Sequence, residues 1–178
     1  MKTSKLFTAI AYVFIVLISF NVEAQKFRSL DKSPMDAASL GTGSDQLIKV
    51  YYSRPQLKGR DAKELTQKDK VWRTGANEAT QIILYKEMRL GETNLKAGTY
   101  SLFTMPGDKE WNIIISTDLN NWGASGYSEE NTVASLSVPV TEGEESLEAF
   151  SITFSKIEDG PVMHMGWGTI RVAVPFAD

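Results

Sequence analysis

From residue 80 to the C-terminus the chain offers no ten-residue run with a helical apolar stripe; short β-rich segments alternate there with turn formers. That pattern leaves an antiparallel β fold as the expected outcome, because a period-two face buries as a strand and nothing supplies crossover helices. The segments are 80–86, 99–104, 111–117, 133–140, 150–157 and 163–176. Leu90-Gly91-Glu92, Ala97-Gly98, Pro106-Gly107-Asp108 and Asp159-Gly160-Pro161 punctuate them, each combining φ freedom or a preset φ with polar side chains. Upstream, 47–53 alternates Ile48, Val50 and Tyr52 with Lys49, Tyr51 and Ser53. The expectation is an all-β, single-domain, two-layer antiparallel sandwich, immunoglobulin-like or jelly-roll-like, of seven or eight strands with one long basic loop.

Lys2 and Lys5 precede the apolar run 6–20, and Val22-Glu23-Ala24 places small residues where a signal peptidase cuts. Residues 1–24 therefore read as a signal peptide. The run is shorter than the roughly 20 residues that a spanning helix requires, so the mature protein is expected to have no transmembrane helix. This predicts export, to the periplasm or outside the cell. Residues 25–45 are polar and aperiodic and read as a lead-in with little structure, and 46–178 as the folded domain.

The mature 154 residues carry 17 basic and 21 acidic side chains, a net charge of −4, and nothing in that balance points to nucleic acid. Cysteine is absent, which excludes disulfides, thiolate nucleophiles and zinc-thiolate sites. With His164 as the single histidine, neither a metal site nor a cofactor is expected. Glu142, Glu144, Glu145 and Glu148 read as a solvated acidic loop protecting strand edges.

The charge is polarised. Residues 54–73 hold seven basic and three acidic side chains, a net +4, leaving −8 for the rest of the mature chain. This longest connection is expected to contain a turn or two of helix beginning near Asp61. Its arginines, Arg54, Arg60 and Arg73, suit carboxylate, sulfate or phosphate.

Within 72–80, Arg73, Asn77 and Glu78 crowd around Gly75. They read either as ligand-holding groups, with Glu78 as base or acceptor, or as a structural network in which Arg73 pairs with Glu78 and Asn77 caps a turn. Trp111 and Trp167 alternate with apolar strand neighbours and read as core. Trp122 and Tyr127 fall in a polar loop beside Asp118 and Asn121, where rings and amides suit a sugar-like ligand.

The phrases Tyr51-Tyr52-Ser53-Arg54-Pro55, Lys58-Gly59-Arg60, Val71-Trp72-Arg73-Thr74-Gly75-Ala76-Asn77-Glu78-Ala79-Thr80 and Ala97-Gly98-Thr99-Tyr100-Ser101-Leu102-Phe103-Thr104, with Trp111, Trp122-Gly123 and Tyr127, resemble a bacterial exported family, domain of unknown function 2911. The resemblance runs from about Ser33 to the C-terminus and implies export and a β-rich fold, with no activity attached. Before the Val-Trp-Arg phrase, the charged run 61–70 replaces the glycine-containing loop expected of that family.

Three functions follow as expectations. The first is an exported binding module presenting Arg54, Arg60, Arg73, Asn77, Glu78, Trp122 and Tyr127 to a small anionic or carbohydrate ligand. The second is an envelope-polymer hydrolase with Glu78 as acid or base, and the third a structural domain without a pocket. Gly-x-Ser-x-Gly, phosphate-loop and His-Glu-x-x-His motifs are missing, so no catalytic residue beyond Glu78 is assigned.

Overall fold

The computed structural model describes residues 25–177. The signal-peptide reading of 1–24 lies outside them. Two compact units are distinguished. Of Met1–Leu30, the described residues 25–30 are exposed and without regular structure, and Asp31–Asp178 is all β. No helix among the described residues is long and apolar enough to cross a membrane.

Among the described residues nine strands form, β1 Met35–Leu40, β2 Ile48–Ser53, β3 Thr80–Leu84, β4 Met88–Leu90, β5 Thr93–Leu95, β6 Gly98–Pro106, β7 Glu110–Ser116, β8 Thr132–Ile157 and β9 Gly160–Pro175. One short helix, α1 Ala62–Thr66, interrupts the β2–β3 connection. Seven strands make one antiparallel sheet in the order β1-β2-β3-β6-β7-β8-β9, and β4 and β5 pair separately. The large sheet is nearly barrel-shaped, its β1 edge lying against β8.

Where the sequence predicts two packed layers, β8 keeps the sheet continuous. Its first part pairs with β7 through Pro139 and the remainder, from Val140 to Ile157, with β9. The segments 133–140 and 150–157 are therefore one strand, and the acidic stretch expected to be a loop lies inside it. Register shifts between Glu142 and Leu147 and between Leu147 and Ser151 carry the extra residues, as bulges do in long curved strands. Arg171 on β9 supports them, donating through Nη1 to Gly168 O and Ile170 O and through Nη2 to Glu145 O. Alternation is weak in this acidic sequence, and the partner that holds it extended is distant in the chain.

The expected lead-in is corrected too. Met35–Leu40 pairs in full register with β2, from Met35 opposite Ser53 to Leu40 opposite Ile48. Its Met-Asp-Ala-Ala-Ser-Leu carries little β propensity, and the hydrogen bonds of a preformed neighbour make it a strand. The alternation in β2 holds as read, with Ile48, Val50 and Tyr52 buried.

The core centres on four rings. Trp72 stacks on Trp167 at 5.8 Å and 9°, and meets Trp111 at 5.9 Å and Phe150 at 5.1 Å edge-on. Offset and edge-to-face pairs each add about 0.5–1.5 kcal/mol beyond area burial. Trp72 is not part of the sheet's long ladders; it is held by reciprocal backbone bonds with Thr104 of β6, at 2.7 and 2.9 Å. Replacing it should therefore be costly. Trp72→Ala is expected to lower stability by about 3–5 kcal/mol in urea unfolding, and to abolish the near-ultraviolet circular-dichroism couplet of the stacked indoles.

Candidate functional site

The β2–β3 connection, residues 54–79, is where backbone strain collects. Asp61 caps α1, its Oδ1 accepting from Lys63 N at 2.9 Å, so the helix expected there forms. The chain then leaves it through Gln67 at φ 54° and Asp69 at φ 59°, and passes Thr74 at φ 54° and Asn77 at φ 59°. With Lys58 and Asn120, these are the six left-handed non-glycine residues among those described. Five lie in this connection, and Asn120 lies in the 117–131 loop that bonds to it. Asn and Asp tolerate the conformation, but a β-branched residue in it is an outlier, and such strain gathers where surroundings over-determine a site.

Thr74 shows what over-determines it. It is fully buried, its Oγ1 lies 3.2 Å from Thr104 Oγ1, and its carbonyl accepts from Thr80 Oγ1 at 2.7 Å. Gly75 follows because a Cβ there would stand 2.8 Å from Ser53 O. With Trp72 in the core and Thr74 locked, Arg73 between them is directed to the other side.

Arg73 is half-buried, and its Nε is buried with no hydrogen-bond partner. The expected Arg73–Glu78 pair does not form: ion pairs within 4.0 Å among the described residues are Arg54–Asp36 and Lys68–Asp108. Arg73 instead lines an open pocket of about 240 Å³ with Lys70, Thr66, Gln67 and Ala124. No acidic side chain lines it. Gly123, next to the lining residue Ala124, packs against the guanidinium: it has φ +77°, and a Cβ there would lie 3.2 Å from Arg73 Nη1.

The facing loop is joined to the connection by two backbone bonds. Ala79 N donates to Asn121 O and Gly123 N to Asn77 O, each at 2.9 Å, which sets Glu78 directly opposite Trp122. Asn77 Nδ2 donates to Asp31 Oδ1 at 3.2 Å. Glu78 is exposed and Trp122 is 69% exposed. Tyr127 is no free platform: it is half-buried, its ring is 5.2 Å from Phe103, and its hydroxyl is 3.0 Å from Thr132 Oγ1.

Two arginines expected at the site are engaged elsewhere. Arg54 clamps β1 to β8, with Nη1 on Asp36 Oδ2 at 2.9 Å, Nη2 on Ser151 Oγ at 2.7 Å and Nε on Phe150 O at 3.1 Å. Arg60 folds back onto its own loop, donating to Leu57 O and Gln56 O. Lys70 was not singled out by the sequence reading. Its signal in the sequence is the spacing of two cations, Lys70 and Arg73, around a tryptophan; that both line one pocket is decided by the fold. Among the described residues no group of His, Cys, Asp and Glu could hold a metal ion.

Residues 33–176 match the family described as protein of unknown function (DUF2911). The chain belongs to that family. No curated protein and no solved structure matches it.

In this DUF2911 chain the Trp122 loop is held by Asp118. Its carboxylate accepts from Ser128 N at 2.7 Å and Asn131 Nδ2 at 2.6 Å. The Ser128 N–H foremost, with Asn131 and Ser116 adding, holds the carboxyl below its ordinary value against the opposing effect of desolvation. A depressed value in the folded state means a contribution fully present above the ordinary aspartate range and lost as pH falls through the folded value. Acidification through that window is expected to lower the protection factor of the Ser128 N–H, its exchange rate taken relative to that of an unstructured amide at the same pH. Asp118→Asn should lower the same protection factor at neutral pH and remove its dependence on pH.

Proposed function

We propose that this protein is an exported binding module whose Arg73 pocket receives the anionic group of a small ligand, a carboxylate, sulfate or phosphate of the kind borne by acidic sugars. The observation that carries the reading is the guanidinium itself, which has a buried Nε without a partner and, among the described residues, no carboxylate within 4.0 Å. A buried donor left unpaired costs free energy, about 1–3 kcal/mol and more for a charged group. An anion in the pocket would give the guanidinium the counter-charge it lacks, because the planar fork matches two oxygens at once. Lys70 on the same wall adds a second positive charge.

The pocket supports binding over the purely structural role. It also supports binding over hydrolysis. Glu78 lines a different recess from Arg73, and no second carboxylate lines that recess, whereas glycoside hydrolysis uses a pair. Export rests on Lys2, Lys5 and the apolar run 6–20 followed by Ala24.

Calorimetric titration with sulfate, phosphate and glucuronate is expected to show saturable binding that weakens as ionic strength rises. Arg73→Ala should abolish it while leaving the urea midpoint unchanged or slightly higher, since an unpaired charge is removed. A loss of about 3–5 kcal/mol with no anion-dependent shift in the wild type would instead mark Arg73 as scaffold and end this reading. Gly123→Ala, which places a methyl group against Nη1 and strains a left-handed position, should weaken anion binding without touching either cation.

A further inference from the structure

The geometry points to a second binding site on this protein, separate from the Arg73 pocket and of opposite sign, in which Glu78 and Trp122 receive an organic ammonium group. The two backbone bonds flanking the Glu78–Trp122 pair run from Ala79 N to Asn121 O and from Gly123 N to Asn77 O. That is the non-hydrogen-bonded arrangement of an antiparallel pair, in which the Cα atoms approach to about 4.5 Å and both side chains rise from one face. A carboxylate and an indole therefore stand side by side, a pairing reinforced by direct opposition across strands.

Both are unused. The other three tryptophans are 8% exposed or less, and Trp122 is 69% exposed. Glu78 has no cation within 4.0 Å among the described residues, and none of those residues places a cation over the Trp122 ring. Glu78 also edges a recess of about 230 Å³ walled by Tyr51, Gln81 and Met35, whose lining includes no lysine or arginine. Met35, 63% exposed, offers an apolar thioether to that recess. The face already holds one ammonium on a ring: Lys49 Nζ sits 4.7 Å from the centroid of Tyr51.

An ammonium bearing carbon substituents answers each of these features. Its charge meets the Glu78 carboxylate and the face of the indole, and its alkyl surface covers Trp122 and Met35. A bare metal ion would find too few oxygens, and an anion would meet Glu78 alone. The recess shares no lining residue with the Arg73 pocket. Gly123 turns its missing side chain toward Arg73, whereas Trp122 shares the face of Glu78. The long-range field agrees, since the mature chain outside residues 54–73 carries a net −8.

The test is a nuclear-magnetic-resonance titration of the protein with choline and with its uncharged isostere 3,3-dimethylbutanol, at matched ionic strength, following the Trp122 indole N–H and the backbone amides of Glu78 and Gly123, the latter also in the variants. Choline is expected to give a saturable shift with a dissociation constant in the millimolar range, and the isostere none. Glu78→Gln and Trp122→Leu, both at exposed positions, should each weaken choline about fivefold, equivalent to roughly 1 kcal/mol. Equal responses to choline and the isostere would reduce the site to an apolar patch and overturn the inference. So would no saturable response, or a response to neutral hexoses in place of choline. Sulfate is titrated in parallel: sulfate binding without choline binding removes this inference alone, and choline binding without sulfate binding removes the Arg73 reading alone.

Discussion

Everything around the candidate site hangs on where Trp72 goes. Its ring lies flat on Trp167 and meets Phe150 and Trp111 edge-on, and its backbone exchanges both hydrogen bonds with Thr104. A connection of this length would otherwise be free to move, because loop closure restrains a long segment weakly. Trp72 pins it at the middle to the densest part of the core. Once that residue is inside, the alternation of an extended chain sends its neighbour out, and Arg73 is left at a pocket mouth whose walls are themselves tied down.

The charges then divide by whether the fold has found them a partner. Arg54 is consumed by β1 and β8 through Asp36, Ser151 and the Phe150 carbonyl. Lys68 is held at 2.5 Å by Asp108, the hydrogen bond raising the lysine's pKa and lowering the aspartate's. That exposed pair contributes little to stability, but it withdraws one cation from the basic segment. Arg73, Lys70 and Glu78 remain without ion-pair partners among the described residues.

Backbone strain gathers around the candidate site. All six left-handed non-glycine residues among those described fall in the β2–β3 connection or in the loop bonded to it. Thr74 offsets the steric cost of its conformation with two hydrogen bonds involving threonine hydroxyls and full burial, and the facing loop is fastened by Asp118. The result is a doubly bonded ribbon carrying Asn77, Glu78, Trp122 and Gly123, in which Glu78 edges one recess and Ala124, next to Gly123, lines the other.

The sequence by itself determined the all-β class, most of the strands, the capped turn of helix at Asp61 and the core role of Trp111 and Trp167. These depend on local alternation and turn chemistry, which a chain carries with it. Of the residues it singled out, Asn77, Glu78 and Trp122 meet where the two loops are bonded together, and Arg73 lines a separate pocket. Only the tertiary structure decided that β8 runs unbroken through its acidic stretch, because Arg171 reaches it from the neighbouring strand. It likewise decided that Met35–Leu40 is a strand, that Arg54 is a clamp and Arg73 is not, and that Arg73 and Glu78 open onto different recesses. Each of those outcomes is a choice of partner between residues far apart in the chain, and pairing of that kind is set by the three-dimensional register of strands, which no single segment encodes.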